Sequence, residues 1–299
     1  MLGRQWQDVR CEQREHKHFG RNNLEPTGVE TDVNALRPTN PRTHWKQKRG
    51  RCTLCGTHTV LTKTHVPPKA AFNDGPASMS AVDSDNMIVQ DQKRDGGLHL
   101  RAHCEPCRRA TSSWDDEYIK WAGTFVKTLV ESPLAGQRQS LTGTLVDVRP
   151  GRFARAALAG MTALAEGLID SHPDFVAAIR EDQLWAASDG MRLLAAITTD
   201  EQAIVSGGHQ GASVSISLDG STSPKTVPTL SAVVHLLPFS LVLADASIAN
   251  NFLHVDCTDW LKYRADDVVH NFDLNLPIVK LSSDSAIIYG ANCFEGGVA

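Results

Sequence analysis

Little in this chain would place it in a membrane or an oxidising compartment. Its longest apolar run, Ala232 to Ala246, is broken by His235 and Pro238. It falls short of the roughly 20 residues that a spanning helix needs. Met1 to Gly20 is polar and mixed in charge, without the charged, apolar, small-residue order of a signal peptide. The seven cysteines are odd in number, and Cys11, Cys257 and Cys293 are scattered, which argues against a disulfide framework. A soluble protein of a reducing cytoplasm is expected, with no membrane partner. Gly-x-Ser-x-Gly, a phosphate-cradling Gly-x-x-x-x-Gly-Lys and a dinucleotide fingerprint are also missing, as is any internal repeat.

Acidic residues are absent from Val33 to Asn73, where Arg37, Arg42, Lys46, Lys48, Arg49, Arg51, Lys63 and Lys69 stand. From Asp200 onward the balance reverses, with Lys225, Lys262, Arg264 and Lys280 against eleven carboxylates. The net charge of −4 therefore averages two opposed regions. A polyanion is drawn to the first and repelled by the last. Nucleic acid is the partner expected at Lys46, Lys48, Arg49, Arg51, Lys63 and Lys69, joined further on by Arg108 and Arg109. The acidic C-terminal half suits a protein partner. A merely solvated basic arm is the plain alternative.

What the chain does have is two cysteine pairs, Cys52-x-x-Cys55 and Cys104-x-x-Cys107, bracketing Thr64-His65-Val66-Pro67-Pro68-Lys69. Each pair offers two sulfurs from one tight turn, and four thiolates close a tetrahedral zinc shell. Such a shell leaves no position open for chemistry, so zinc is expected as scaffold. A thioredoxin-like redox pair is the competing reading, but it ordinarily comes alone. His65 is then the group to watch. An imidazole titrates near neutrality and can take a proton from water. Support of the zinc shell is its quieter role.

The fold class expected is α+β. Residues 1–42 read as a disordered polar leader, 43–132 as a zinc unit, 133–183 as a helical connector and 184–299 as a β-rich domain. Within the zinc unit a strand over Thr59–Lys63 ends at His65, where Pro67-Pro68 forbids further pairing. A long polar loop is expected from Asp74 to Asp95, then a strand from Leu98 to Ala102. Its alternation puts His99 and Arg101 on one face, so that His99 reads as solvent-exposed, with a place toward the cleft as the alternative. A helix from Glu105 to Glu131 follows, with Tyr118, Trp121 and Phe125 as core.

This order of motifs, continued by Thr111-Ser112-Ser113-Trp114-Asp115-Asp116-Glu117-Tyr118, resembles the HNH endonucleases of the His-Me-finger superfamily. It is most similar to bacterial HNH-like proteins with a His-(Val/Ile)-Pro-Pro-Lys signature, over about residues 50–130. The resemblance implies a ββα unit cutting phosphodiester bonds, with DNA the expected substrate and RNA the second. It implies His65 as general base and a catalytic Mg²⁺ or Mn²⁺ besides the structural Zn²⁺. Thr64 stands where the family often has a carboxylate, and Arg108 where it has Asn. Asp115 and Asp116 are the oxygen ligands left for the cation. The alternative is a module that keeps the zinc and binds nucleic acid or a protein without cutting.

Overall fold

Two short runs flank the first cysteine pair, and both are strands: β1 (Arg49–Arg51) and β2 (His58–His65), antiparallel. The computed structural model describes residues 48–75, 77–82, 88–94, 96–131, 139–185, 190–200, 202–207, 213–216, 222–225, 230–280 and 292–297. The expected leader and Lys46 lie outside them. Where a long loop was expected, the chain forms an antiparallel hairpin, β3 (Ala77–Val82) and β4 (Ile88–Arg94). Its other partner is a strand from the far end of the chain, and no local pattern announces a tertiary pairing of that kind. β5 (His99–Cys104) returns to β2, closing a small sheet of order β1-β2-β5.

Helix α1 (Glu105–Ser112) starts directly on β5, with a proline in its first turn, where a missing N–H costs nothing. The single helix expected to Glu131 breaks here. The Ser112 and Ser113 hydroxyls bond back to the Arg109 and Ala110 carbonyls, and Trp114 turns inward to near-complete burial. The acidic run that follows opens α2 (Asp115–Glu131), where carboxylates favour a helix N-terminus.

Beyond it come β6 (Ser140–Val148), α3 (Pro150–Leu164), α4 (Leu168–Ser171) and α5 (Pro173–Arg180). Every residue of α3 except Arg152 is buried. Its glycines let neighbours approach: a Cβ on Gly151 would lie 2.2 Å from the Tyr263 carbonyl oxygen, and one on Gly160 would lie 3.3 Å from Val66. Phe153 of α3 stacks on Tyr118 and Trp121 of α2 at 5.0 and 4.4 Å. Those α2 aromatics are core, as their helical spacing predicts.

The rest is mostly sheet: β7 (Met191–Thr198), β8 (Gln202–Gly207), β9 (Ser213–Ile216), β10 (Thr222–Lys225), β11 (Leu230–Leu236), β12 (Phe239–Asp245), β13 (Val255–Asp256), β14 (Val269–Val279) and β15 (Asn292–Gly297). The main sheet runs β4-β3-β15-β8-β11-β12-β7-β14-β6, with β13 also on β7. It thus draws strands from both sides of the boundaries expected near 132 and 183. β9 and β10 pair separately. A single apolar core joins Cys52, Leu54 and Trp121 to Leu241 and Leu276. A second, small cluster (Leu194, Val233, Val242, Ala244) is covered by Ile248, Ala249 and Phe252 of the β12–β13 connection. At its end lies a buried polar chain. His235 meets the Asp200 carboxylate at 2.9 Å and the Ser240 hydroxyl at 2.9 Å, and Ser240 meets His254 at 2.9 Å.

The protein is therefore mixed α+β, with a small ββα-like region at the cysteines and a β-rich C-terminal half. Among the described residues no helix is long and apolar enough to cross a membrane.

Candidate metal centre and an adjoining histidine face

The first knuckle is a tight turn between β1 and β2. The Cys52 N–H donates to the Thr57 carbonyl and the Gly56 N–H to the Cys52 carbonyl. Gly56 sits at φ +71°, a left-handed conformation that glycine adopts without steric cost. The second pair straddles the start of α1, Cys104 just before it and Cys107 in its first turn. Pairing of Leu61 with Cys104 brings the two turns together.

All four sulfurs lie within 4.8 Å of one another, and those of Cys55 and Cys104 are 3.7 Å apart. A tetrahedron with metal–sulfur bonds of about 2.3 Å has sulfurs about 3.8 Å apart, so the set fits zinc. The Cys104 N–H donates to the Cys52 sulfur at 3.3 Å. A hydrogen bond from Cys107 is the main cause that holds Cys52 down to about 4, while the Cys107 thiol is pushed up by that bond and by burial. Four crowded thiols share negative charge unequally, and a divalent cation is what lets all of them ionise. Arg180 adds a nearby positive charge and reaches the Leu54 carbonyl at 3.4 Å. These four cysteines can hold a structural metal ion such as zinc.

β2 ends at His65, half-buried, and the segment beyond it is tied down by Asn73, 3% exposed. The Asn73 amide donates to the Pro67 and Leu98 carbonyls at 2.7 and 3.0 Å, and its oxygen accepts from the Leu98 N–H at 2.7 Å. A Cβ on Gly97 would lie 1.9 Å from the Asn73 carbonyl oxygen, so only glycine fits that approach. Val66 rests on Gly160 of α3. Sequence reasoning missed Asn73, because its partners are distant in the chain and asparagine is ordinary in a loop.

Across the small sheet His65 is paired with His99 and Lys63 with Arg101. The two imidazoles are in ring contact, centroids 5.3 Å apart. His99 is half-buried rather than fully exposed, and its Nδ1 lies 3.2 Å from the Gly97 carbonyl oxygen. His65 bonds the backbone of Gly96. Burial pushes the His65 pKa below its ordinary value, and the Lys69 and Lys63 ammonium groups push the same way. Neutral imidazole, the form that accepts a proton, is thereby favoured near pH 7. The strand face carrying His65 is basic.

The remaining expected residues scatter. Lys48, Arg49, Lys63 and Lys69 are exposed. Arg51 is ion-paired with Asp170 at 2.7 Å. Arg108 and Arg109 both clasp Glu105 and hold its carboxyl down to about 2. Asp116 pairs with Arg152 at 3.4 Å. Burial, then the Asp116 charge, lifts Asp115 to about 7. Among the described residues the four cysteines are the one group of three or more His, Cys, Asp or Glu side chains close enough to hold an ion. Asp115 and Asp116 form no such group with His65.

Comparison of the chain with protein-family models, with curated proteins and with solved structures finds no match.

Proposed function

We propose that this protein cuts phosphodiester bonds in nucleic acid, as HNH endonucleases do, with His65 as general base on a zinc-held ββα scaffold. The observation that carries the reading is His65 itself. It is half-buried, kept neutral by burial, fixed at the end of β2 and set beside Lys63 and Lys69. A phosphate attracted by those ammonium groups would come to rest against a ring ready to take a proton. DNA is the first substrate to try.

The family's Mg²⁺ or Mn²⁺ would stabilise charge on the leaving oxygen. Asp115 and Asp116, the carboxylates expected to hold it, do not meet His65 in a cation-sized group, and no step is derived through that ion. Their placement favours a second reading, in which the zinc unit binds nucleic acid without cutting it.

Nicking of supercoiled plasmid, with and without added Mg²⁺ or Mn²⁺, tests the proposal on wild type and His65→Ala. A general base contributes about 10²–10⁴-fold. Nicking should drop by that factor in the variant while DNA binding is kept. Equal nicking by both proteins would remove His65 from the mechanism, and binding without nicking by either supports the second reading. Because the folded His65 pKa lies below 6.5, the acid limb of the rate profile should also fall below pH 6.5.

A further inference from the structure

Residues 246–254, which join β12 to β13, form a strap held at both ends. Before it, the Asp245 carboxylate accepts from the Ser247 N–H at 2.9 Å; after it, Val255 pairs with Ala195 of β7. Between these ends Ile248, Ala249 and Phe252 pack on the small apolar cluster, while Leu253 is 82% exposed. The Phe252 and His254 rings meet edge to face, centroids 6.1 Å apart. An apolar anchor and a polar one therefore sit side by side.

The buried chain behind His254 fills with hydrogens in one way. An ionised carboxylate only accepts, so His235 donates to Asp200 from Nε2, beside Thr198 Oγ1 at 2.9 Å. Burial favours neutral His235, whose Nδ1 then accepts from the Ser240 hydroxyl. The Ser240 oxygen is left to accept from His254 Nε2. Three contacts thus hold three hydrogens. The Nδ1 of His254 is bare and buried, and it meets no hydrogen-bond partner among the described residues. A fourth hydrogen, entering at either ring, finds no acceptor in the chain, and a buried donor left unpaired is unfavourable. The nearby charges do not relieve it. His235 acts on His254 directly and disfavours its protonation, and Arg192 of β7 is engaged by Asp256 of β13 at 3.4 Å.

We propose that the strap is an acid-released latch. One proton taken up by the chain lifts residues 246–254 from the sheet and bares the Leu194, Val233, Val242 and Ala244 patch, while the strands beneath stay paired. Closed, the strap gives the His254 ring one hydrogen-bond partner; open, both ring nitrogens meet water and titrate near 6.5. The opening equilibrium therefore rises with acid, about tenfold between pH 7 and 5.5, because the open form binds the proton and the closed form refuses it. Local opening of this kind leaves the rest of a fold intact.

The test is hydrogen exchange read by mass spectrometry on the full chain from pH 7 to 5.5, each rate divided by that of an unstructured peptide of the same sequence. Protection of residues 246–254 should fall about tenfold across that range, while β11 and β12 keep theirs. His254→Gln still offers a donor to Ser240 and takes up no proton, so its strap should show no such fall. Level protection in the wild type overturns the proposal. So does a fall of equal size in the variant, or a joint loss of protection in β11 and β12. If His254→Gln does not fold, the ring resonances of labelled wild-type histidines decide. Proton uptake by His254 in step with the loss of strap protection supports the latch, and uptake near pH 6.5 under a strap that stays protected sinks it.

Discussion

Asn73 is the residue on which the geometry of the histidine segment turns. Its side chain makes three hydrogen bonds in a buried site, two to carbonyls and one from an N–H. Asn73→Ala takes this partner from the Pro67 carbonyl and the Leu98 N–H, while the Leu98 carbonyl keeps the Val66 N–H at 3.1 Å; each group left unpaired costs about 1–3 kcal/mol. Partial relaxation brings the expected loss to roughly 2–4 kcal/mol, readable as a lower urea midpoint. Activity should fall along with it, since Pro67 and Leu98 flank His65 and His99 in the chain. A midpoint within experimental error of wild type would show that the clamp is dispensable. At this scale the sequence was partly readable. Cys52, Cys55, Cys104 and Cys107 stand in local spacings whose chemistry points to a metal, whereas His65 is singled out by the resemblance. Asn73 meets Pro67 and Leu98, and His99 meets His65 on the facing strand, and spacing does not report partners of that kind.

Among the elements, the β12–β13 connection lies over the outer face of the main sheet, tied by the small apolar cluster and by His254 to Ser240. Burial, and then the charge of His235, holds His254 down to about 4, and burial lowers His235 too, against the pull of Asp200. An unfolded histidine takes its proton near 6.5. The unfolded chain therefore binds more protons than the folded one across the window from 6.5 to about 4, and stability is lost as pH falls through it. Thermal melting followed from pH 7 to 4 should show that decline, and His254→Asn should flatten it. An unchanged slope would assign the decline to other groups. The sequence pattern found β2, β5 and the helical stretch of α1 and α2, because alternation and helical spacing there are set by their own residues. It missed the β3–β4 hairpin. It also ran α1 and α2 together, since Tyr118, Trp121 and Phe125 keep helical spacing whether or not the helix is broken upstream.

For the molecule as a whole, the cysteine knuckles and the main sheet share one apolar core. Loss of the metal should therefore be felt far beyond the knuckles. Cys52→Ser is expected to abolish bound zinc and to lower the melting temperature of the whole protein by roughly 10 °C or more, at about 2–4 °C per kcal/mol. Emission from Trp121 and Trp260, which pack edge to face at 5.4 Å, should follow the same transition as the rest. Two separate transitions, with the tryptophans untouched by the first, would mean that the zinc unit melts alone. The mixed α+β class was evident from composition and pattern. The sharing of strands was not, because the β3–β4 hairpin joins the C-terminal strands through β15, far away in the chain.

That pairing sets a timetable for synthesis. On the ribosome, the segment between the two cysteine turns emerges before β15, and one side of β3 has no mate until β15 has been translated. The nascent chain must carry an open strand edge while everything between β3 and β15 is made.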